Sequence, residues 1–247
     1  MTEFDREVLA RIESYANDDG LKNGARQFLL PSIHARYSYN FSWMGRPIIQ
    51  YPQDIVAMQE IIWSVQPDLI IETGIAHGGS LIFSASMLEL NAACGGPADA
   101  GVVGLDIDIR RHNRDAIERH PMFKRISMIE GSSIAADVIE QVRALAAARP
   151  RVLVCLDSNH THEHVLAELE AYAPLTSVGS YCVVFDTMIE DVPAGTYPDR
   201  PWGPGNSPKS AVREYLDRHP EFVTDHLTDQ KLMISVSPGG YLRRTRL

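Results

Sequence analysis

From residue 69 onward the chain alternates short apolar runs with segments whose apolar residues recur at helical spacing. Leu69–Glu72, Val102–Asp106, Ile126–Ile129, Val152–Asp157 and Tyr181–Asp186 read as strands, continuous in apolar character as buried parallel strands are. Between them lie a helix opened by Gly78-Gly79-Ser80 and running through Leu90, a short one over Arg114–His120, one over Ser133–Ala148 and one over His162–Tyr172. The Ser133–Ala148 helix carries its apolar face on Ile134, Val138, Ile139, Val142 and Leu145. This β-α-β-α order predicts an α/β fold, a mostly parallel sheet with helices on both faces. The flanks differ. Residues 1–30 read as helical with a break near Asp18-Asp19-Gly20, and the aromatic-rich run Ser32–Pro52 reads as an ordered loop or lid. Asp54 is expected to cap a helix reaching about Val65, with Ile55, Met58, Ile61, Ile62 and Val65 on one face. At the far end Ser210–Arg218 is a helix, and Leu232–Val236 and Tyr241–Arg244 flank Ser-Pro-Gly-Gly as a closing antiparallel hairpin.

Composition narrows the class. With 247 residues, 45% of them hydrophobic, the chain can build one large α/β domain or two small ones. No stretch is apolar enough to span a bilayer, and Met-Thr-Glu-Phe-Asp-Arg is no signal pattern, so a cytoplasmic protein is expected. A net charge of −9 argues against nucleic acid or an anionic membrane surface as partner. Cys94, Cys155 and Cys182 are widely spaced and read as free thiols rather than a disulfide framework.

The first strand leads into Glu72-Thr-Gly-Ile-Ala-His-Gly-Gly-Ser80. Gly74 permits a tight turn, and Gly78 and Gly79 let a ligand approach backbone at a helix N-terminus. The spacing is neither the dinucleotide fingerprint nor a Walker loop. Glu72 before the glycines disfavours phosphate and suits a cationic ligand, such as the sulfonium and ammonium of S-adenosylmethionine; a plain strand-to-helix turn is the alternative. Asp106, at the next strand end, is placed to read a ribose diol, with Asp108 competing for that role and a helix cap the alternative for both. Gly131 and Ser132 close the third strand where an adenine would border, although Ser132 or Ser133 also suits a helix N-cap.

Asp157 and Asp186 each end an apolar strand and are followed at once by polar residues. Two acids on neighbouring strand ends suffice for a magnesium-like cation, which would hold a substrate hydroxyl and lower its pKa. His160, titrating near neutrality, is the candidate base. The run Asp157-Ser-Asn-His-Thr-His-Glu-His164 also raises a zinc site, since His160 and His164 are spaced i,i+4, but no further soft ligand has metal spacing. His162 and His164 otherwise read as surface residues at a helix start.

Taken together, Glu72-Thr-Gly-x-x-x-Gly-Gly-Ser80, Gly104-Leu-Asp-Ile-Asp108, Asp157-Ser-x-His160 and Val184-Phe-Asp-Thr187 resemble the cephalosporin-hydroxylase-like family, related to the rhamnosyl O-methyltransferases. The resemblance covers roughly residues 35–240. It implies a magnesium-dependent S-adenosylmethionine methyltransferase, laid out like catechol O-methyltransferases, on a Rossmann-like seven-stranded sheet whose C-terminal strand is antiparallel. By position it assigns Glu72, Gly74, Gly78 and Ser80 to the methionine side of the cofactor, Asp106 or Asp108 to the ribose, and Gly131 and Ser132 to the adenine. Asp157 borders the cofactor and, with Asp186, holds the metal; His160 falls where catechol-type enzymes carry a basic lysine. Relatives often have Glu-Asp where this chain has Phe185-Asp186, which removes one candidate ligand. The implied organisation is a single domain overall, with an N-terminal helical or lid segment over 1–53 and the methyltransferase unit over 54–247.

The acceptor side is expected in the long Pro/Gly-rich loop Asp191–Pro208, where Tyr197, Arg200 and Trp202 offer stacking and hydrogen bonds to a sugar ring. The segment Arg36–Tyr51 is expected to close from the other side, with structural packing of Trp43 and Trp202 as the alternative. By analogy with the family the acceptor is a sugar, glycan or antibiotic scaffold, as in cell-envelope polysaccharide synthesis, and the enzyme a homo-oligomer. Two other functions fit the same residues: a protein that binds S-adenosylmethionine or a metabolite without chemistry, and a metal-dependent hydrolase using the histidine cluster.

Overall fold

A computed structural model describes residues 1–246. The N-terminal part comprises α1 (Glu3–Tyr15), α2 (Asp19–His34), the short strands β1 (Ser42–Trp43) and β2 (Arg46–Pro47), and α3 (Pro52–Val65). The alternating part then runs β3 (Leu69–Thr73), α4 (Gly79–Ala93), β4 (Gly101–Asp106), α5 (Arg111–Glu118), β5 (Ile126–Glu130), α6 (Ala136–Ala146), β6 (Val152–Leu156), α7 (His162–Tyr172) and β7 (Tyr181–Val184). It closes with α8 (Pro208–Arg218), β8 (Phe222–Thr224), α9 (His226–Leu232) and β9 (Tyr241–Arg244).

Seven strands form one sheet in the order β5-β4-β3-β6-β7-β9-β8. Strands β3 to β7 are parallel, and β9 runs antiparallel to both β7 and β8. Alternation along each strand feeds two helix layers. Ile70, Leu153 and Val183 pack with α3 and α4, while Ile71, Val154 and Cys182 pack with α6, α7 and α8. Every residue of β3, β6 and β7 is buried, which is why these runs are largely apolar, with Glu72 and Thr73 of β3 as the buried polar exceptions. Chain order reverses at β3, between β4 and β6, so a crevice opens at the carboxyl ends of β3 and β6. Among the described residues no helix is long and apolar enough to cross a membrane. Cys155 and Cys182 are buried free thiols and Cys94 an exposed one.

Several elements depart from the sequence expectation. Asp54 does not cap α3: Tyr51 is the N-cap, and Asp54 lies inside the first turn, fully buried. Its carboxylate accepts from Ser235 Oγ at 2.5 Å, Val236 N at 2.9 Å and Tyr241 Oη at 2.7 Å. That anchor draws the chain around Ser235 to α3, so Leu232–Val236 forms no strand; the partner of β9 is β8, with α9 between them. Helix α2 runs on to His34, and a two-residue hairpin turn follows at Met44 (φ 45°) and Gly45 (φ 84°), the positive pair a type I′ turn requires. Helix α6 starts at Ala136, because Ser133 is buried and bonded to α7 instead. Its core face is Val138, Val142 and Ala146, leaving Ile134 and Leu145 exposed.

Candidate active site

The crevice is built on the exits of β3, β4, β6 and β7. Gly74 (φ +89°) leaves β3 so close to β6 that an added Cβ would lie 2.0 Å from the Asp157 carbonyl oxygen. Only glycine meets both demands. Glu72 is buried beneath this turn and accepts from Ser80 Oγ; burial pushes its carboxyl up to about 7, against the Ser80 and Ser84 hydrogen bonds. Asp106 accepts at one oxygen from Ile75 N (2.9 Å) and Ala76 N (3.1 Å), and at the other from Asp108 N (3.2 Å). It therefore shapes the turn, holding Ala76 at φ +45°. Asp108 is exposed and contributes its N–H. Gly131 N donates to the Asp106 carbonyl at 2.8 Å, which sets Gly131 and Ser132 beside the end of β4.

A cavity of about 210 Å³ lies above these exits, lined by Gly74, Ser80, Asp157, His160 and Asp186 among others. The N-terminal segment supplies the remaining wall through Tyr39, Ile48 and Gln50. Among the described residues no lysine or arginine lines it. A wider groove of about 720 Å³ passes Trp63, Cys94 and Arg151 at the amino end of the sheet, away from all of the strand-end acids.

One ligand atom each of Asp157, His160 and Asp186 lies within 4.8 Å of the others. His160 Nε2 stands 3.2 Å from Asp186 Oδ2. Asp186 sits in the left-handed region (φ +55°) at the head of a 3-10 turn over Thr187–Asp191, a conformation aspartate tolerates better than most residues. Asp157 keeps an opening to the cavity, but protein surrounds its other sides. Burial first, then the carboxylates of Asp186, Glu72 and Glu168, hold its carboxyl well above the usual range. A cation would relieve that repulsion, so two carboxylates and an imidazole fit a divalent ion. Phe185 is packed in the core and adds no donor, so a cation would rest on the carboxylates of Asp157 and Asp186, with the His160 imidazole beside them.

The histidine run disperses because α7 starts only at His162, so His160 and His164 share no helix face. His162 bonds to Ser210 Oγ at 2.8 Å and Glu214 at 3.0 Å, tying α7 to α8. His164 turns inward to Ser133 Oγ at 3.0 Å and Glu168 at 3.6 Å. The loop Asp191–Pro208 does reach the site. Trp202 meets the His160 ring edge-on at 4.8 Å between centroids, and the exposed Arg200 stacks its guanidinium over Trp202 at 5.1 Å. Tyr197 is half-buried near Asp186, Tyr51 and Tyr39, with its hydroxyl pushed up to about 12, mainly by burial. Trp43 is structural: its indole donates to Ser86 Oγ at 2.9 Å and packs edge-on against Phe83. Tyr39, Ile48 and Gln50 were not singled out from the sequence; their only signal was the aromatic-rich lid segment that contains them.

The profile of the family described as Rhamnosyl O-methyltransferase/CmcI matches residues 35–245. A rhamnosyl O-methyltransferase of Mycobacterium leprae is 31% identical over 218 residues, covering 85% of this chain and 88% of that protein. One of Mycobacterium tuberculosis is 31% identical, covering 85% and 83%. Among solved structures, CmcI with Mg-SAM aligns at a TM-score of 0.58 and 19% identity, over 84% of this chain and 78% of that one. An O-methyltransferase from Bacillus cereus in complex with SAH aligns at 0.50 and 16% identity, over 86% and 90%. At such identities the structural likeness bears on the fold, which is the seven-stranded methyltransferase sheet expected from the sequence.

Proposed function

The chain belongs to the Rhamnosyl O-methyltransferase/CmcI family, and from that premise we propose that its crevice carries a methyl group from S-adenosylmethionine to a hydroxyl of a sugar, glycan or related natural-product acceptor, assisted by a divalent cation. The protein is thus an S-adenosylmethionine-dependent methyltransferase; the acceptor and the cation are the new parts of the assignment. One observation carries them: Asp157, His160 and Asp186 converge within 4.8 Å in the cavity that opens onto the glycine-rich turn.

The residues divide the work. Glu72 and the absence of lysine or arginine from the described lining suit a sulfonium donor. Asp157 and Asp186 would hold the cation, whose chemistry is to lower the pKa of an acceptor hydroxyl and orient it. Asp186 orients the His160 imidazole, and His160 accepts the hydroxyl proton. The acceptor oxygen then attacks the methyl carbon in line: the O–CH3 bond forms, the S–CH3 bond breaks, and S-adenosylhomocysteine departs with the sulfur's electron pair. Trp202 and Tyr197 flank the acceptor, and holding donor and acceptor in register supplies much of the rate. Residues 1–53 act in this scheme as a lid on one catalytic unit.

Calorimetric titration with S-adenosylhomocysteine, with and without magnesium, tests the donor and the cation together. Methyl transfer from labelled S-adenosylmethionine to rhamnose-containing glycosides tests the acceptor. Asp157→Ala is expected to abolish turnover and leave S-adenosylhomocysteine bound. No binding of S-adenosylhomocysteine would overturn the proposal, and turnover indifferent to chelators would remove the cation from it.

A further inference from the structure

Gln50 is 5% exposed, lines the cavity, and its amide makes no hydrogen bond among the described residues. It is not one of the sealed, partnerless side-chain atoms, such as Gln53 Oε1, so its polar end faces the cavity rather than the core. A polar group on a residue buried this far is normally satisfied by something. The second observation is independent. Helix α4 starts from Gly78 in the left-handed region with no side-chain cap. The N–H groups of Gly79, Ser80 and Leu81 have no acceptor among the described residues, and Gly79 and Ser80 line the same cavity. The two features are locked together, because a Cβ on Gly79 would lie 2.0 Å from the Pro47 carbonyl oxygen and 2.8 Å from Ile48 Cα. The segment leading to Gln50 therefore rests directly on the first turn of α4.

The cavity accordingly carries the carboxylates of Asp157 and Asp186 and also the unpaired donors of the α4 N-terminus and the Gln50 amide. A helix N-terminus with a neutral amide beside it favours a carboxylate. Resting on the methyl-donor reading above, we propose that Gln50 is a positioning residue for the donor's methionyl α-carboxylate, its NH2 group donating to that carboxylate together with the free N–H groups of α4. The N-terminal segment thereby completes the donor site in addition to covering the acceptor.

The test is calorimetry of the full chain with two probes: S-adenosylhomocysteine, which carries the amino-acid tail, and 5′-methylthioadenosine, which lacks it. Gln50→Leu is expected to weaken S-adenosylhomocysteine about tenfold or more and to leave methylthioadenosine within about twofold, as loss of one hydrogen bond to a charged group implies. Gln50→Glu, which keeps the shape, is expected to weaken it further, because a carboxylate then faces a carboxylate. Wild-type affinity in Gln50→Leu, an equal loss for both probes, or tighter binding by Gln50→Glu would each overturn the assignment. If the wild-type protein binds neither probe, the methyl-donor reading itself fails.

Discussion

His160 Nε2 and Asp186 Oδ2 stand 3.2 Å apart, joining the end of β6 to the end of β7. Trp202 packs against the same imidazole, so its ring is fixed from two directions before any substrate arrives. A base held this way should be worth roughly 10²–10⁴ in kcat. His160→Gln is therefore expected to lose that factor while S-adenosylhomocysteine affinity stays within about twofold. Steady-state kinetics beside calorimetry check it, and a variant with near wild-type kcat would move the base elsewhere.

Glu72 is expected to make donor affinity pH-dependent. Its carboxyl titrates at about 7, chiefly because it is buried. Below that value it is protonated and loses its attraction for a cation; above it the charge is present. Affinity for S-adenosylmethionine should therefore rise with pH through about 7, by at most about tenfold per unit. Glu72→Gln should bind more weakly at pH 8 and show a flatter profile. Titrations at three pH values decide it, and a flat wild-type profile counts against the role.

Much of the fold was legible because β3, β6 and β7 are buried on both faces and so are mostly apolar. The strand-end acids were legible because each one breaks an apolar run. The C-terminal pairing was not. β8 is only three residues long, and the segment that looked like its replacement is held by Asp54, more than 180 positions away. Asp54 itself resembled a cap because an acid just before a helical run usually is one. Spacing alone grouped His160 with His164, whereas the true start of α7 sends them apart. Gln50 carries no sequence signal beyond its place in the lid segment: what marks it is a missing partner, visible only in three dimensions.

Gly79 carries the contact between the N-terminal segment and α4. Alanine there places a Cβ against the Pro47 backbone, so Gly79→Ala should destabilise by roughly 1–3 kcal/mol or lift that segment. Chymotrypsin cleavage after Trp43 in that segment should accelerate, and the thermal midpoint should fall. Gly24 is the control: it lies within α2, and a Cβ there would meet nothing within 4 Å. Gly24→Ala should stabilise by about 0.5–1 kcal/mol. Equal responses at the two positions would show that the Gly79 contact is not tight.

Asp54 ties α3 to β9, and its titration gives the fold a definite pH signature. Burial raises its carboxyl from 3.8 to about 6, outweighing the hydrogen bonds from Ser235, Val236 and Tyr241. Because the folded value is the higher one, the native state holds this proton more tightly than the unfolded chain. The stabilisation is fully present below about 3.8 and is lost as pH rises through about 6. Between pH 5 and pH 7 the wild-type protein should lose on the order of 1 kcal/mol from this group alone. Asp54→Asn cannot titrate, and its NH2 group must face a donor, so it should be less stable at both pH values by roughly 1–3 kcal/mol. Urea denaturation of both proteins at pH 5 and pH 7 isolates the effect, since other groups titrate alike in the two. The gap between them should be wider at pH 5 than at pH 7; a gap that does not change would mean that Asp54 titrates as it does in the unfolded chain.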